Sequence, residues 1–383
     1  MLPFDFQLRT RIVFGPDEVE RLGALAAELG SQRALVVSDP GIVAAGHTAR
    51  GLNALQRAGV ATCLFDRVCE NPSTKNVEEG LLIAQEFSPD LLVGFGGGSS
   101  MDCAKGINFL YTNGGRVQDY WGAGKAAKPM LPMIAVPTTA GTGSEMQSYA
   151  LISDAETHVK MACGDKKATC RIAILDPTLT VTQPVAVTVL TGIDAIAHAV
   201  ETYVTRVRNP ISLCYSREAW RLLEENFSKV LDDPTDLNAR ACMQLGAAFA
   251  GVAIENSMLG AAHALANPLT SRYGIAHGQA VGLMLPHVVR FNGLEHGEWY
   301  RDLLASSSGT NGAPRPSSGA AGLAEFLSQL VSKAGLPGRL ADCGVDQARL
   351  HELAEEASKQ WTSGFNPRPA TATDLFGLYQ DAY

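Results

Sequence analysis

Residues 90–111 read DLLVGFGGGSSMDCAKGINFLY, and this stretch decides the fold of the first half of the chain. Residues 90–95 are an apolar run typical of a buried strand, and residues 101–111 have a helical pattern. Gly96, Gly97 and Gly98 stand between them, followed by two serines. Glycines let backbone N–H groups approach an anion, and the next helix adds free N–H groups at its N-terminus. This order predicts a phosphate-binding turn; a tight turn without a ligand is the alternative.

The alternation of strand and helix continues on both sides of this stretch. Strands are predicted for residues 33–38, 61–65 and 132–136, and helices for residues 42–58 and 77–87. Such alternation indicates a mostly parallel α/β sheet. Between residues 178 and 184 the pattern changes, and the chain then consists mainly of Ala- and Leu-rich helical segments. We therefore predict a Rossmann-like α/β domain over residues 1–180 and an all-α domain over residues 181–383.

Composition excludes several classes of protein. The 383 residues carry a net charge of −8 without a long run of Lys or Arg, which argues against binding to nucleic acid. The eight cysteines are scattered without a C-x-x-C pair, so we expect no disulfide scaffold and a reducing, cytoplasmic location. We see no signal peptide and no stretch of about 18 apolar residues that suggests a membrane span. Residues 306–322, rich in Ser, Gly, Pro and Ala, are predicted to form a surface loop.

A second polar loop follows the strand predicted at residues 132–136. Residues 137–145 read PTTAGTGSE and offer the hydroxyls of Thr138, Thr139, Thr142 and Ser144 beside two glycines. Two polar, glycine-bearing loops at strand ends are what an open α/β sheet needs to bind a nucleotide. Both loops together favour a dinucleotide cofactor.

Asp39 stands at the end of the first Rossmann-like strand. A carboxylate there can accept a hydrogen bond from a ribose 2′-hydroxyl and repel a 2′-phosphate, which favours NAD over NADP. The alternative is a solvent-facing turn residue before Pro40 and Gly41.

Four potential metal ligands lie in the helical half. Asp194 and His198 are four residues apart in TVLTGIDAIAHAVETYVT, so both project from one helix face. His263 falls in a helix of small residues, and His277 follows a turn marked by Gly274. One carboxylate and three imidazoles suit Fe(II), Zn(II) or a neighbouring metal. For each histidine taken singly, a buried imidazole bonded to a backbone carbonyl is the alternative, and spacing alone does not bring the two pairs together.

Five ordered motifs together resemble one family. They are GGGSSMDCAK, PTTAGTGSE, DPTLT, TGIDAIAHAVETYVT and HGQAVGLMLPHVVRFN. Over nearly its whole length the chain resembles the iron-containing (group III) alcohol dehydrogenases. The resemblance implies the architecture shared with dehydroquinate synthase, in which a Rossmann-like dinucleotide domain precedes a helical metal domain and the active site lies between them. It also suggests a homodimer, with pairing near residues 11–14.

The resemblance also implies site residues. The metal ligands would be Asp194, His198, His263 and His277, holding Fe2+ or alternatively Zn2+. The residues that contact NAD, with NADP as the alternative, would be Asp39, Gly97, Gly98, Ser99, Asp102, Thr138, Thr139, Thr142, Lys160 and Leu179.

One departure from the family concerns proton transfer. Many relatives have a further histidine four residues after the third ligand, whereas this chain has Asn267. An amide does not titrate near neutral pH, so Asn267 cannot act as an acid or base, although it can hydrogen-bond a substrate oxygen. We predict that Asn267 and His277 are the catalytic residues nearest the substrate.

These observations predict a metal-dependent oxidoreductase that transfers hydride between NAD(H) and a small alcohol or aldehyde. A non-redox, NAD-using metalloenzyme resembling dehydroquinate synthase is the alternative, but its phosphorylated substrate calls for a Lys and Arg cluster. Only Arg206, Arg208 and Arg272 stand near the proposed ligands in sequence. A catalytically silent NAD-binding protein is a third alternative, which the complete ligand set disfavours.

Overall fold

The computed structural model describes residues 3–307 and 319–383, so most of the loop predicted at residues 306–322 lies outside the described residues. The chain forms two compact units. One is Gln7–Gln183, and the other is Pro184–Tyr383 together with the described residues before Gln7.

The first unit contains every strand of the described chain, with helices between them. Its strands are β1 (Arg11–Phe14), β2 (Arg33–Val37), β3 (Ala61–Phe65), β4 (Leu91–Gly96), β5 (Gly122–Ala123), β6 (Met133–Pro137), β7 (Tyr149–Ser153), β8 (Lys160–Gly164) and β9 (Ile172–Leu175). Its helices are α1 (Leu22–Glu28), α2 (Pro40–Ala44), α3 (His47–Arg57), α4 (Thr74–Phe87) and α5 (Gly98–Asn113).

Six strands form one sheet in the order β1-β9-β6-β4-β2-β3, and every neighbouring pair is parallel. The predicted parallel α/β architecture is therefore confirmed. Strands β4 and β6 are adjacent, with Gly96 opposite Pro137. Because parallel strands end at the same edge of a sheet, the glycine turn after β4 and the loop after β6 begin side by side. A second sheet, β5-β8-β7, was not predicted from the sequence.

One predicted helix differs from the structure. Residues 42–58 were expected to form a single helix, but the chain forms α2 and α3 there. Gly46 separates them with φ of +79°, a left-handed conformation that glycine adopts at little cost. The helical periodicity was correct on both sides, and the glycine interrupts it.

The second unit is helical. Its helices are α6 (Val185–Val204), α7 (Pro210–Asp232), α8 (Leu237–Asn256), α9 (Ala261–Tyr273), α10 (His277–Ala305), α11 (Ala320–Lys333), α12 (Leu350–Ser358) and α13 (Ala372–Asp381). The helical C-terminal half predicted from the sequence is confirmed.

Two helices of the second unit have the length and mean hydropathy of a membrane span. By length and composition alone, α6 and α8 are both sufficient. Within the most apolar window, 72% of α6 and 67% of α8 are buried inside the protein. Core helices of globular proteins commonly have this composition, so these two helices are weak evidence for a membrane span.

Close approach of α10 to α6 depends on a glycine. A Cβ atom on Gly278 would lie 2.0 Å from the backbone oxygen of Leu190 on α6. No side chain fits at that distance, so Gly278 lets the first turn of α10 contact the backbone of α6. This contact fixes His277, the residue just before Gly278, relative to α6.

Candidate functional site

Three imidazoles of the helical unit surround the carboxylate of Asp194, and the ligand atoms of Asp194, His263 and His277 all lie within 4.8 Å of one another. Asp194 and His198 lie on α6, His263 lies on α9, and His277 is the first residue of α10. The Oδ1 atom of Asp194 is 3.4 Å from Nε2 of His198, 3.4 Å from Nε2 of His263 and 3.8 Å from Nε2 of His277. The structure therefore brings all four predicted ligands together.

The cluster has the spacing and the polarity of a cation site. A metal about 2.1 Å from two ligands at a tetrahedral angle holds them about 3.4 Å apart, close to the observed distances. Among the described residues, Oδ1 of Asp194 and Nε2 of His263 are buried without a hydrogen-bond partner. Buried polar atoms are costly unless they are satisfied, and a cation facing both atoms would satisfy them. The residues present thus fit a divalent metal.

Glu201 orients the imidazole of His263. Its Oε2 atom lies 2.5 Å from Nδ1 of His263, and its Oε1 accepts a hydrogen bond of 2.7 Å from the backbone N–H of Ala262. The buried carboxylate thus caps the first turn of α9 and contacts the far side of the imidazole. When the proton of neutral His263 is on Nδ1, the lone pair of Nε2 points toward Asp194. A histidine that binds a metal through Nε2 requires this tautomer.

The protonation of the cluster also indicates a site for positive charge. Burial opposes ionisation of Asp194, but the imidazoles of His198, His263 and His277 outweigh it and hold its pKa well below the usual range. Burial favours neutral His263, yet Glu201 and Asp194 raise its pKa to about 9. Both shifts show that the cluster favours positive charge at its centre.

The two polar loops of the first unit contact each other. A Cβ atom on Gly98 would lie 2.7 Å from Oγ1 of Thr142, and one on Gly97 would lie 3.4 Å from Cγ2 of Thr139. The backbone N–H of Thr138 donates to the carbonyl of Gly96 at 2.9 Å. The N-terminus of α5 and the threonine loop (residues 137–145) thus form one continuous polar surface.

The polar surface formed by the glycine turn and the threonine loop includes a buried hydroxyl without a partner and a nearby lysine. The Oγ1 atom of Thr138 is buried and has no hydrogen-bond partner among the residues described. Ser99 accepts a hydrogen bond of 3.2 Å from the backbone N–H of Asn71, and Lys160 donates one of 3.0 Å to the Asn71 side chain. These contacts bring Lys160 to the glycine turn.

The carboxylate of Asp39 is held in place beside the same turn. Its Oδ1 accepts from the N–H groups of Gly41 and Ile42 and so caps α2, while Oδ2 accepts from the hydroxyl of Ser100 at 3.3 Å. The carboxylate thus connects the end of β2 with the start of α5.

Comparison with known proteins assigns the family. The family described as "Iron-containing alcohol dehydrogenase" matches residues 9–177, and "Fe-containing alcohol dehydrogenase family, C-terminal" matches residues 188–383. The chain belongs to the iron-containing alcohol dehydrogenase family. This confirms the resemblance seen in the five motifs and identifies the chain as an oxidoreductase.

Individual relatives match the chain over nearly its full length. The chain is 33% identical to the NAD-dependent methanol dehydrogenase of Bacillus methanolicus over 97% of both chains. It is also 33% identical to the 1,3-propanediol dehydrogenase of Klebsiella pneumoniae over 99% of both. A crystal structure of a 1,3-propanediol oxidoreductase superimposes with a TM-score of 0.94 at 32% identity, covering both chains completely. The activities in the names of these relatives are redox reactions, so they do not favour a non-redox enzyme resembling dehydroquinate synthase.

Two of the predicted cofactor residues of this iron-containing alcohol dehydrogenase are turned away from solvent. Leu179 is buried in the core of the six-stranded sheet, so only its backbone is available to a cofactor. Asp102 is buried on α5, where its carboxylate accepts hydrogen bonds from Ser144 and Leu151. Burial raises the pKa of Asp102, against the lowering effect of nearby Lys105.

Asn267 lies on α9, one helical turn after His263. Its side-chain amide donates a hydrogen bond of 3.0 Å to Oε1 of Gln360. Residues four apart share a helix face, so the Asn267 side chain lies on the same face of α9 as His263. Its orientation is therefore fixed by a second uncharged amide.

Sequence reasoning assigned no role to Glu201 or Lys105. Glu201 stands seven residues after Asp194, which places both on one face of α6, and this spacing was the available signal. The partner of Glu201 on α9 could not be read from that spacing. Lys105 is fully buried on α5, and nothing in its local sequence indicates this.

Replacing Glu201 with glutamine tests its role in orienting His263. The amide has nearly the same shape but lacks the charge that favours a proton on Nδ1. We expect Glu201→Gln to weaken metal affinity by about ten- to a hundredfold, as is common when a carboxylate that supports a metal-binding histidine is changed. Competition with a fluorescent chelator measures this. Glu225→Gln on α7 is the matched control, and equal affinities in the two variants would contradict the role of Glu201.

Proposed function

We propose that the chain transfers hydride reversibly between NAD(H) and a small alcohol or aldehyde, with one divalent metal held by Asp194, His198, His263 and His277. The observation that carries the proposal is the pair of buried atoms, Oδ1 of Asp194 and Nε2 of His263, that face each other without hydrogen-bond partners among the described residues. Fe2+ is the proposed metal, with Zn2+ as the alternative.

The bound cation would polarise the substrate oxygen, and the nicotinamide would donate or accept the hydride. Asp194, His198 and His263 are almost fully buried, whereas the side chain of His277 is 29% exposed. We therefore place the substrate on the His277 side of the cluster.

Asn267 is proposed to orient the substrate rather than to carry its proton. The amide does not titrate near neutral pH, and its N–H already donates to Gln360. The Oδ1 atom of Asn267 can accept a hydrogen bond from a substrate hydroxyl. The proton then requires another route, for which a ribose hydroxyl of the cofactor and water are suited.

The proposed nucleotide site is the polar surface formed by the glycine turn and the threonine loop. Backbone N–H groups at the start of α5 favour a pyrophosphate, because they are free of helical partners and lie at the positive end of the helix dipole. Thr138, with its buried hydroxyl, would donate to the same anion. Asp39 would accept from the adenosine ribose, which favours NAD over NADP.

Asparagine at position 39 tests the preference for NAD. Asp39→Asn keeps an oxygen that can accept from Gly41 and Ile42, so the cap of α2 remains, but it removes the charge that repels a 2′-phosphate. We expect the ratio of kcat/KM for NADPH to that for NADH to rise by about tenfold or more. Glu78→Gln removes an exposed charge from α4 and serves as control. An unchanged ratio in Asp39→Asn would contradict the proposed role of Asp39.

We further propose a cytoplasmic homodimer. All eight cysteines are free thiols, which suits a reducing compartment. Strand β1 is an edge of the six-stranded sheet, so it presents main-chain groups to which a second copy could pair. Light scattering coupled to gel filtration measures the mass, and a monomer at micromolar concentration would contradict the dimer.

The central experiment is NADH oxidation with a panel of small aldehydes. The protein is stripped of metal and reloaded anaerobically with Fe(II) or Zn(II), and the metal-free sample serves as control. Turnover that requires one of the metals would support the proposal and rank the substrates. Saturable NADH binding without turnover on any aldehyde would contradict it and favour a non-redox or silent role.

A further inference from the structure

Lys105 is the most deeply buried cation of the first unit. It lies on α5 and is 0% exposed. Its Nζ atom donates to the backbone oxygens of Ser144, Gln147 and Tyr149 at 2.7, 2.8 and 2.8 Å. An ammonium group is costly to bury unless its N–H groups are satisfied, and here three carbonyls satisfy them. One side chain of α5 thus fixes the end of the threonine loop and the backbone just after it at three points.

Asp102, one turn earlier on the same helix, completes the arrangement. Its Oδ1 accepts from the hydroxyl of Ser144 at 2.6 Å, and its Oδ2 accepts from the backbone N–H of Leu151 at 3.2 Å. The Ser144 hydroxyl also lies 3.0 Å from Nζ of Lys105. The buried carboxylate and the buried ammonium are therefore bridged by Ser144 and compensate each other's charge.

The same helix forms the glycine turn. Gly98, at the N-terminus of α5, contacts Thr142, two residues before Ser144. The threonine loop is consequently held at two places by one helix: at Thr142 by the glycine turn, and from Ser144 onward by Lys105 and Asp102. A rigid helix that holds both places sets the distance between the glycine turn and the threonine hydroxyls.

We propose that Lys105 and Asp102 are positioning residues that preorganise the nucleotide site without touching the cofactor, with the Ser144 hydroxyl as the link between them. The inference rests on the nucleotide site proposed above. Loss of the ammonium leaves three carbonyls and one carboxylate without their buried partner, so the loop relaxes away from α5. Affinity for the cofactor falls because the loop must be ordered again at each binding event.

Lys105→Met tests the role of the ammonium, since it retains the length of the side chain and removes the charge. The dissociation constant for NADH, measured by quenching of protein fluorescence, is expected to rise by about ten- to a hundredfold. Turnover at saturating NADH is expected to stay within about threefold, because the metal ligands belong to the helical unit. Lys166→Met removes a lysine that is exposed in the same unit and serves as the matched control.

Ser144→Ala supplies a milder second variant in case Lys105→Met does not fold. It removes the bridging hydroxyl but leaves both charges, and a threefold to tenfold weaker affinity for NADH is expected, about the value of one hydrogen bond. The double variant Lys105→Met with Asp102→Asn is expected to lose less affinity than the sum of its single changes, because the two buried charges compensate each other.

The outcomes separate this inference from the proposed function. Failure of the unchanged protein to bind NADH would contradict the nucleotide site itself. If the unchanged protein binds NADH and folded Ser144→Ala binds it equally well, Lys105 and Asp102 do not position the site. The same conclusion follows if turnover falls in Lys105→Met while NADH affinity is unchanged. Circular dichroism and thermal unfolding report folding in every variant.

Discussion

Asp194→Ala is expected to lose bound metal and to lower turnover by at least about a thousandfold. Asp194 is the one carboxylate whose Oδ1 atom lies within 3.8 Å of all three imidazole Nε2 atoms. Its removal leaves the three Nε2 atoms without the carboxylate oxygen that faces them all, so the site no longer favours a cation over protons. Elemental analysis of the purified protein and steady-state kinetics with added metal measure the two effects.

His263→Ala is expected to behave in the same way, because the side chain connects Asp194 with Glu201. The matched control is His287→Ala, which removes a half-buried imidazole from α10, outside the four-residue cluster. We expect this control to retain its metal. Stoichiometric metal in both Asp194→Ala and His263→Ala would refute the ligand assignment.

The second large effect concerns a residue that bears no functional group. Gly278→Ala is expected to lower turnover by about a hundredfold, because displacement of a reacting group by about 1 Å commonly costs this much. The added Cβ would lie 2.0 Å from the backbone oxygen of Leu190. Backbone cannot rotate aside as a side chain can, so the first turn of α10 must move away from α6 and carry His277 with it. Overpacking of this kind also costs about 1–3 kcal/mol of stability.

The control lies further along α10. A Cβ atom added at Gly297 would have no heavy atom of the described chain within 4 Å, apart from neighbouring residues and the backbone of its own helix. Gly297→Ala should therefore leave turnover unchanged and change the stability by no more than about 1 kcal/mol, because it follows a break in the helix at His296. Thermal unfolding and kinetics are measured for both variants. Full activity of Gly278→Ala would show that the contact with α6 does not position His277.

Local sequence was sufficient for the parts of the molecule that depend on neighbouring residues. The apolar run before Gly96, the three glycines and the following helix predicted a strand, a turn and a helix, and the structure has β4 and α5 there. Glycine has the same local effect at Gly46, where it divides a predicted helix. The four-residue spacing of Asp194 and His198 likewise placed both side chains on one face of α6, because helical periodicity is a local property.

Only the tertiary structure decided which faces meet. His263 and His277 are far along the chain from Asp194, and the close packing of α10 on α6 at Gly278 brings His277 to the cluster. The bond from Glu201 to His263 and those from Lys105 to three carbonyls also join separate elements. Periodicity states which side of a helix is polar or buried, but not which group it faces. That is determined by the packing of all elements together. The sequence alone determined the strand and helix on either side of the glycine turn and suggested the ligands. The second sheet, the convergence of the ligands, their supporting carboxylate and the burial of Lys105 were decided by the fold.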